Sequence, residues 1–313
     1  MNHGNVSPEI AKGLKVLRSR IAKANIPSSK LDETLNIATW NIREFGKKAR
    51  STAAIHYIAE MLGQFDLISI AELRGNLGDL GKVLNILGPY WRVIYSDALE
   101  DGGGNDERIG FVYDKRAVAF TGFAAAASPP RTKVGDLYLP AFDWWRDPFM
   151  ASFSAGLFDF VLLAAHAQWG TPAGRLAELK SLAEWVDLKK KEKTCVDKDL
   201  IVVGDFNVDT PDQLAALTSR GLQMPAALKG KTYGTNLAQD KRYDQILHYA
   251  DYPQSFSNHA GIVDFYSGGT TDLFPDLDKT AFTFQMSDHL PLWMQVNTDI
   301  EGEELDEIIR AGK

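Results

Sequence analysis

The stretch Leu200-Ile201-Val202-Val203-Gly204-Asp205-Phe206-Asn207 limits the folds open to this chain more than any other. Its four leading residues are apolar and three of them are β-branched, which predicts a buried strand. Gly204 loosens the backbone. Asp205 and Asn207 follow at alternate positions, and alternate residues of an extended chain share a face. A carboxylate and an amide are thus brought together where a buried strand ends. The carboxylate is a ligand for a hard cation, and the amide can hold an oxyanion or orient a nucleophile. A polar turn closing a strand is the plain alternative, and the rest of the chain decides between them.

The chain has 313 residues, 45% of them hydrophobic, which is enough for a large core. Its net charge of -7 argues against a protein that coats nucleic acid by charge alone. That charge is compatible with an enzyme whose acidic groups hold metal ions. Cys195 is the single cysteine, so no intramolecular disulfide forms. No leader-like start and no run of about 20 apolar residues is present, so a cytoplasmic protein without a membrane segment is expected.

Ser7-Pro8 reads as a helix cap, followed by Ile10, Leu14, Leu17 and Ile21 at helical spacing. Strands are expected at 35–41, 66–74, 91–95, 107–113, 117–127, 149–153, 158–166, 200–203, 242–249 and 293–296. Helices are expected at about 48–63, at 76–87, after Thr171-Pro172 with Leu176, Leu179, Leu182 and Val186 on one face, after the Thr210–Gln213 capping box, and at 301–310. Residues 128–143, with Pro129-Pro130, read as irregular. The glycines of 101–106 suggest a phosphate cradle, but no Gly-Lys-Ser/Thr follows them. No repeat or linker appears. The boundaries are an N-terminal helical extension at 1–33, one domain at 34–298 and an acidic C-terminal helix at 299–313.

Polar residues gather at the ends of these strands: Asn41, Glu72, His166, Asp205, Asn207, Asp244, Asp288 and His289. The pattern suggests a sheet-based enzyme with its site along one rim. The motifs Thr-Trp-Asn-Ile-Arg, Ala-Glu-Leu, Glu-Arg-Ile-Gly-Phe-Val-Tyr, Arg-Asp-Pro-Phe, Ala-Ala-His-Ala, Gly-Asp-Phe-Asn, Tyr-Asp-Gln-Ile and Ser-Asp-His-Leu-Pro run in order from about 35 to 298. In this the chain resembles the endonuclease/exonuclease/phosphatase superfamily, and within it the pancreatic-type deoxyribonucleases. Gly-Asp-Phe-Asn combined with Ser-Asp-His-Leu-Pro is the most specific part of the likeness.

The resemblance implies an α+β fold, a four-layered α/β/β/α sandwich of two mostly antiparallel sheets flanked by helices. It implies a Mg²⁺-dependent phosphodiesterase, foremost a DNA endonuclease, with Mn²⁺ or Ca²⁺ as alternative ions. Glu72 is then the principal metal ligand, with Asn41 and Asp288 near the metal. Asp205 and Asn207 lie beside the scissile phosphate, between His166 and His289. Glu107 partners His166, Asp244 partners His289, and Arg146 and Tyr243 contact substrate. Two features depart from the deoxyribonuclease pattern. The lone cysteine rules out those enzymes' disulfides, and Asn105 and Asp106 stand where an aromatic residue is expected before Glu107. Trp144 and Trp145 either line a substrate groove or cover a sheet edge. DNA or another phosphodiester is the expected partner. A phosphatase or phosphodiesterase acting on a small molecule or phospholipid is the enzymatic alternative, and a catalytically silent binding module is the alternative of another class.

Overall fold

The computed structural model describes residues 1–312 except 99–105, 143, 232, 250, 252–254 and 268. The glycine-rich loop lies outside the described residues, apart from Asp106.

Two sheets form the body. The first is built from β1 (Thr34–Phe45), β2 (Leu67–Leu73), β3 (Trp91–Tyr95), β4 (Arg108–Asp114), β12 (Phe256–Ile262) and β13 (Leu292–Asn297). Its order is β12-β13-β1-β2-β4-β3, and only β1 and β2 pair in parallel. The second contains β5 (Ala119–Ala126), β8 (Phe149–Ala155), β9 (Phe158–His166), β10 (Leu200–Asp205) and β11 (Asp244–His248). Its order is β11-β10-β9-β8-β5, with only β9 and β10 parallel.

The continuous apolar runs of β9 and β10, and the burial of β1 along most of its length, follow from each strand being covered on both faces. Between the sheets, Ile37 and Phe111 meet Phe149, Phe160, Ile201 and Val203. Phe111 stacks on Phe149 at 5.2 Å and meets Phe153 edge-on at 5.9 Å. Such pairs contribute about 0.5–1.5 kcal/mol beyond burial. The opposite face of β1, with Ala38, Trp40 and Ile42, packs under helices α1 (Pro8–Ala22), α2 (Thr52–Leu62), α3 (Gly78–Leu87) and α6 (Lys279–Gln285). The opposite face of β9 and β10, with Leu163 and Val202, packs under α4 (Pro172–Lys191) and α5 (Pro211–Leu217). These three cores separate four layers, the α/β/β/α sandwich expected.

Local chemistry sets the helix ends. Ser7 Oγ accepts from Ile10 N, and Thr210 and Gln213 form the expected reciprocal box. Ser51 caps α2, which starts at Thr52 rather than at about 48. On α4 Leu179, Leu182 and Val186 are buried, but Leu176 is 37% exposed. The C-terminal helix α7 (Glu301–Ala311) leaves Leu305, Ile308 and Ile309 exposed. No helix among the described residues is long and apolar enough to cross a membrane.

Residues 128–143 are not irregular throughout. They contain a hairpin, β6 (Arg131–Val134) and β7 (Leu137–Pro140), joined by Gly135-Asp136. Gly135 has φ +60°, a conformation that costs glycine little. Both faces of the hairpin are exposed, so neither strand carries the alternation that marks a half-buried one.

Candidate active site

The site lies along the rim where both sheets end. Asp205 closes β10, and its register neighbours are His166 on β9 and Asp244 on β11. Pairing alone thus sets three titratable side chains abreast. The close approach of β9 needs Gly204, which has φ +134°. A Cβ there would stand 2.0 Å from the Ala165 carbonyl oxygen. Asn207 does meet Asp205, though not by strand alternation. The strand ends at Asp205, Asn207 turns left-handed at φ +50°, and its backbone N–H donates to Asp205 Oδ1 at 2.9 Å. Its side-chain amide donates to the Ala167 carbonyl at 2.9 Å, which fixes the amide plane at the cleft.

The first sheet contributes through broken register. The β1–β2 ladder is interrupted between Asn41 and Phe45, and the β2–β4 ladder between Ile70 and Leu73. Bulges of this kind re-aim side chains. Glu72 sits in the second, left-handed at φ +59°. One of its oxygens accepts from the Glu44 backbone N–H at 2.7 Å and the other from Asn41 Nδ2 at 2.9 Å. Asn41 Nδ2 also donates to Asp205 Oδ2 at 2.9 Å, which ties the two sheets together at the rim. Non-glycine residues in this region cost about 1–3 kcal/mol each and persist where their surroundings hold them. Here the holding bonds are those to Asn41 and Asp205.

Two histidine–carboxylate pairs flank Asp205. His166 Nδ1 faces Glu107 at 2.8 Å, and His289 Nδ1 faces Asp244 at 2.7 Å. Their other nitrogens converge on one atom: Asp205 Oδ2 lies 3.7 Å from His166 Nε2 and 3.6 Å from His289 Nε2. Ser287 anchors the second pair, donating to the Asn41 carbonyl at 2.6 Å and accepting from His289 N at 3.0 Å.

Burial opposes a charge on His289, yet Asp244 and Asp205 hold its pKa well above the ordinary histidine value. Burial also opposes a charge on His166, and Glu107, with help from Asp205, more than offsets it. Burial would raise Asp205, but the two histidines pull it below the usual carboxylate range. Glu107 is likewise lowered against burial, by His166, Arg146 and Arg74. Asp244 is raised, because burial outweighs its imidazole partner. Asp244 and His289 therefore titrate as a pair, and the neighbouring Asp205 carboxylate favours the charged imidazole.

A cleft of about 570 Å³ opens over this rim. Five carboxylates line it (Glu44, Glu72, Glu107, Asp205 and Asp288) against the guanidiniums of Arg43, Arg74 and Arg146. The guanidiniums are engaged. Arg146 lies 3.1 Å and Arg74 3.3 Å from Glu107, and Arg43 lies 3.7 Å from Asp288. Before the histidines take protons, the lining carries two negative charges in excess, which a bound cation would offset for an anionic substrate. The donors suit a hard one. Asn41 Oδ1 is buried without a hydrogen-bond partner, and the Glu72 carboxylate is held at the cleft wall. Asp205, Asp244 and His289 also offer ligand atoms all within 4.8 Å of one another, so this buried group too could hold a metal.

All eleven residues singled out from the sequence come to this rim. Nine line the cleft, with Asn41 and Asp244 behind them, hydrogen-bonded to residues that do. Trp144 is buried against Trp185, 5.7 Å away and edge-on, and Trp145 N donates to Glu178 at 3.0 Å. Neither lines the cleft. Trp169 does, three residues beyond His166. A lone tryptophan just after a strand that ends in histidine was the available signal.

A model of the endonuclease/exonuclease/phosphatase family matches residues 38–274. No curated protein matches the chain at a significant level. Several solved structures share the fold. A mannosyl-6-phosphatase of Bacteroides thetaiotaomicron is 17% identical, with a TM-score of 0.56 over 84% of this chain and 99% of that one. D. rerio TDP2 complexed with a single-strand DNA product is 13% identical, with a TM-score of 0.57 over 84% and 99%. The human Nocturnin catalytic domain with bound sulfate is 14% identical, with a TM-score of 0.53 over 86% and 96%.

Proposed function

Because the chain belongs to the endonuclease/exonuclease/phosphatase family of phosphoesterases, we propose that it is a Mg²⁺-dependent phosphodiesterase that cuts DNA internally. One observation carries the reading. Two imidazoles, each backed by a carboxylate, aim their Nε2 atoms at the same Asp205 oxygen.

Hydrolysing a phosphodiester requires removal of a proton from water and delivery of one to a leaving alkoxide. An imidazole fixed at Nδ1 by a carboxylate presents Nε2 as its active atom and is made more basic. The neutral member of the two accepts the water proton at Nε2, and the protonated member donates from Nε2 to the leaving oxygen. Asp205, below its usual pKa, stays ionised between them and steadies the imidazolium. Asn207 offers its amide to the phosphoryl oxygens, Arg146 pairs with substrate phosphate, and Tyr243 positions the substrate. Glu72, Asn41 and Asp288 would hold the Mg²⁺, which would supply charge neutralisation on the phosphoryl oxygens.

A second reading has specific support. The guanidiniums of the cleft are engaged by carboxylates, the net charge is -7, and one similar structure is a mannosyl-6-phosphatase. A small-molecule phosphate ester fits those facts. Nicking of supercoiled plasmid with Mg²⁺, with and without chelator, separates the readings. Metal-dependent nicking that His166→Ala reduces by about 10²- to 10⁴-fold supports the nuclease. Chelator-sensitive release of phosphate from a sugar phosphate, with no nicking, supports the phosphatase.

A further inference from the structure

Trp169 is 63% exposed at the cleft, in the short connection between β9 and α4. A large apolar ring in that position adds little to the core, and three contacts hold it in place. Its carbonyl accepts from Arg175 Nη1 at 2.7 Å. The Arg175 guanidinium, itself buried, lies 5.4 Å from the ring centroid. Tyr243 meets the ring edge-on at 5.5 Å and 83°, and Tyr243 in turn lies 5.7 Å from the His289 ring. The result is a fixed aromatic wall that starts at a histidine of the proposed chemistry and ends in solvent.

We propose that Trp169 is a specificity-determining residue: it stacks an unpaired nucleobase next to the phosphate being cut, so the substrate is single-stranded or locally unpaired nucleic acid. The proposal deepens the phosphodiesterase reading and rests on it for the position of that phosphate. Three features favour a base. An indole ring held by its neighbours spends little entropy on stacking, and every base has a π-face to meet it. The engaged arginines leave the cleft without a strong field for the backbone, so affinity has to come from elsewhere. In a duplex the base faces are already stacked on their neighbours, so the wall selects against paired strands.

The test is the affinity of the full chain for a labelled oligothymidylate, read by fluorescence anisotropy in chelator to prevent turnover. An abasic strand of equal length is the reference. Wild type is expected to prefer the base-bearing strand, and Trp169→Ala to shrink that preference roughly 5- to 100-fold toward unity. Trp169→Phe should restore most of it. Because the ring is exposed, the melting temperature should not move. The proposal is overturned if wild type binds both strands alike, or if Trp169→Ala weakens both equally. Base-dependent binding without hydrolysis on adding Mg²⁺ would leave the wall standing and remove the phosphodiesterase reading. Hydrolysis of bis(p-nitrophenyl) phosphate, a phosphodiester, by a protein that ignores both strands would do the reverse.

Discussion

At the residue scale the site depends on how protons are placed. His166 keeps its raised pKa because Glu107, with help from Asp205, outweighs the burial of the ring. A histidine partner that stabilises the charged form raises the pKa, so removing the partner's charge lowers it. In Glu107→Gln the limb of the kcat/KM profile governed by His166 should move to lower pH, with kcat/KM falling roughly 10- to 100-fold at neutral pH. A profile measured on a small phosphodiester checks this. A limb that stays in place while the rate falls would mean that Glu107 only packs the site, or that His166 is not the group titrating. At this scale the sequence was highly legible, because short polar motifs at strand ends survive as local patterns. Trp169 escaped because its one local sign, a place just after a strand that ends in histidine, does not by itself separate an exposed tryptophan from a packed one. Its exposure is set by Arg175 and Tyr243, the latter more than seventy positions along the chain.

At the element scale the site is a consequence of strand register. Gly204 allows β10 to lie against β9 closely enough for His166 to stand beside Asp205. In Gly204→Ala the new methyl would meet the Ala165 carbonyl at 2.0 Å in a backbone conformation that L residues rarely adopt. A loss of roughly 2–4 kcal/mol is expected from strain and overpacking together. Urea unfolding measures it, and a loss under 1 kcal/mol would mean that the strands part without cost. The buried strands of both sheets were legible because unbroken apolar runs have few other uses. Three elements were not. The β6–β7 hairpin has no buried face, and its Gly-Asp turn was the only local sign. The register of β12 breaks between Phe256 and Ala260, so no alternation marks it. Helix α6 has seven residues, too few to show a helical period.

At the scale of the whole molecule, charge would decide how nucleic acid, the proposed substrate, is approached. The chain carries 41 acidic against 34 basic residues, and the cleft itself has more carboxylates than guanidiniums. Affinity for a polyanion from counterion release grows with the number of phosphates neutralised, at a slope of about 0.7 for each on a single strand. Among the described residues, the arginines that line the cleft are Arg43, Arg74 and Arg146, and each already faces a carboxylate. The dependence of log affinity on log salt should therefore be shallow, no steeper than about -2 for three phosphates on a single strand. Anisotropy titrations between 50 and 300 mM KCl (roughly the range in which such slopes are linear) give the value. A slope of -4 or steeper would reveal a basic track outside the cleft and undercut the role given to stacking. A shallow slope combined with loss of base preference in Trp169→Ala would mean that recognition is carried by the aromatic wall. Charge in the cleft would then be committed to the reacting phosphate and its cation, rather than to gripping the strand.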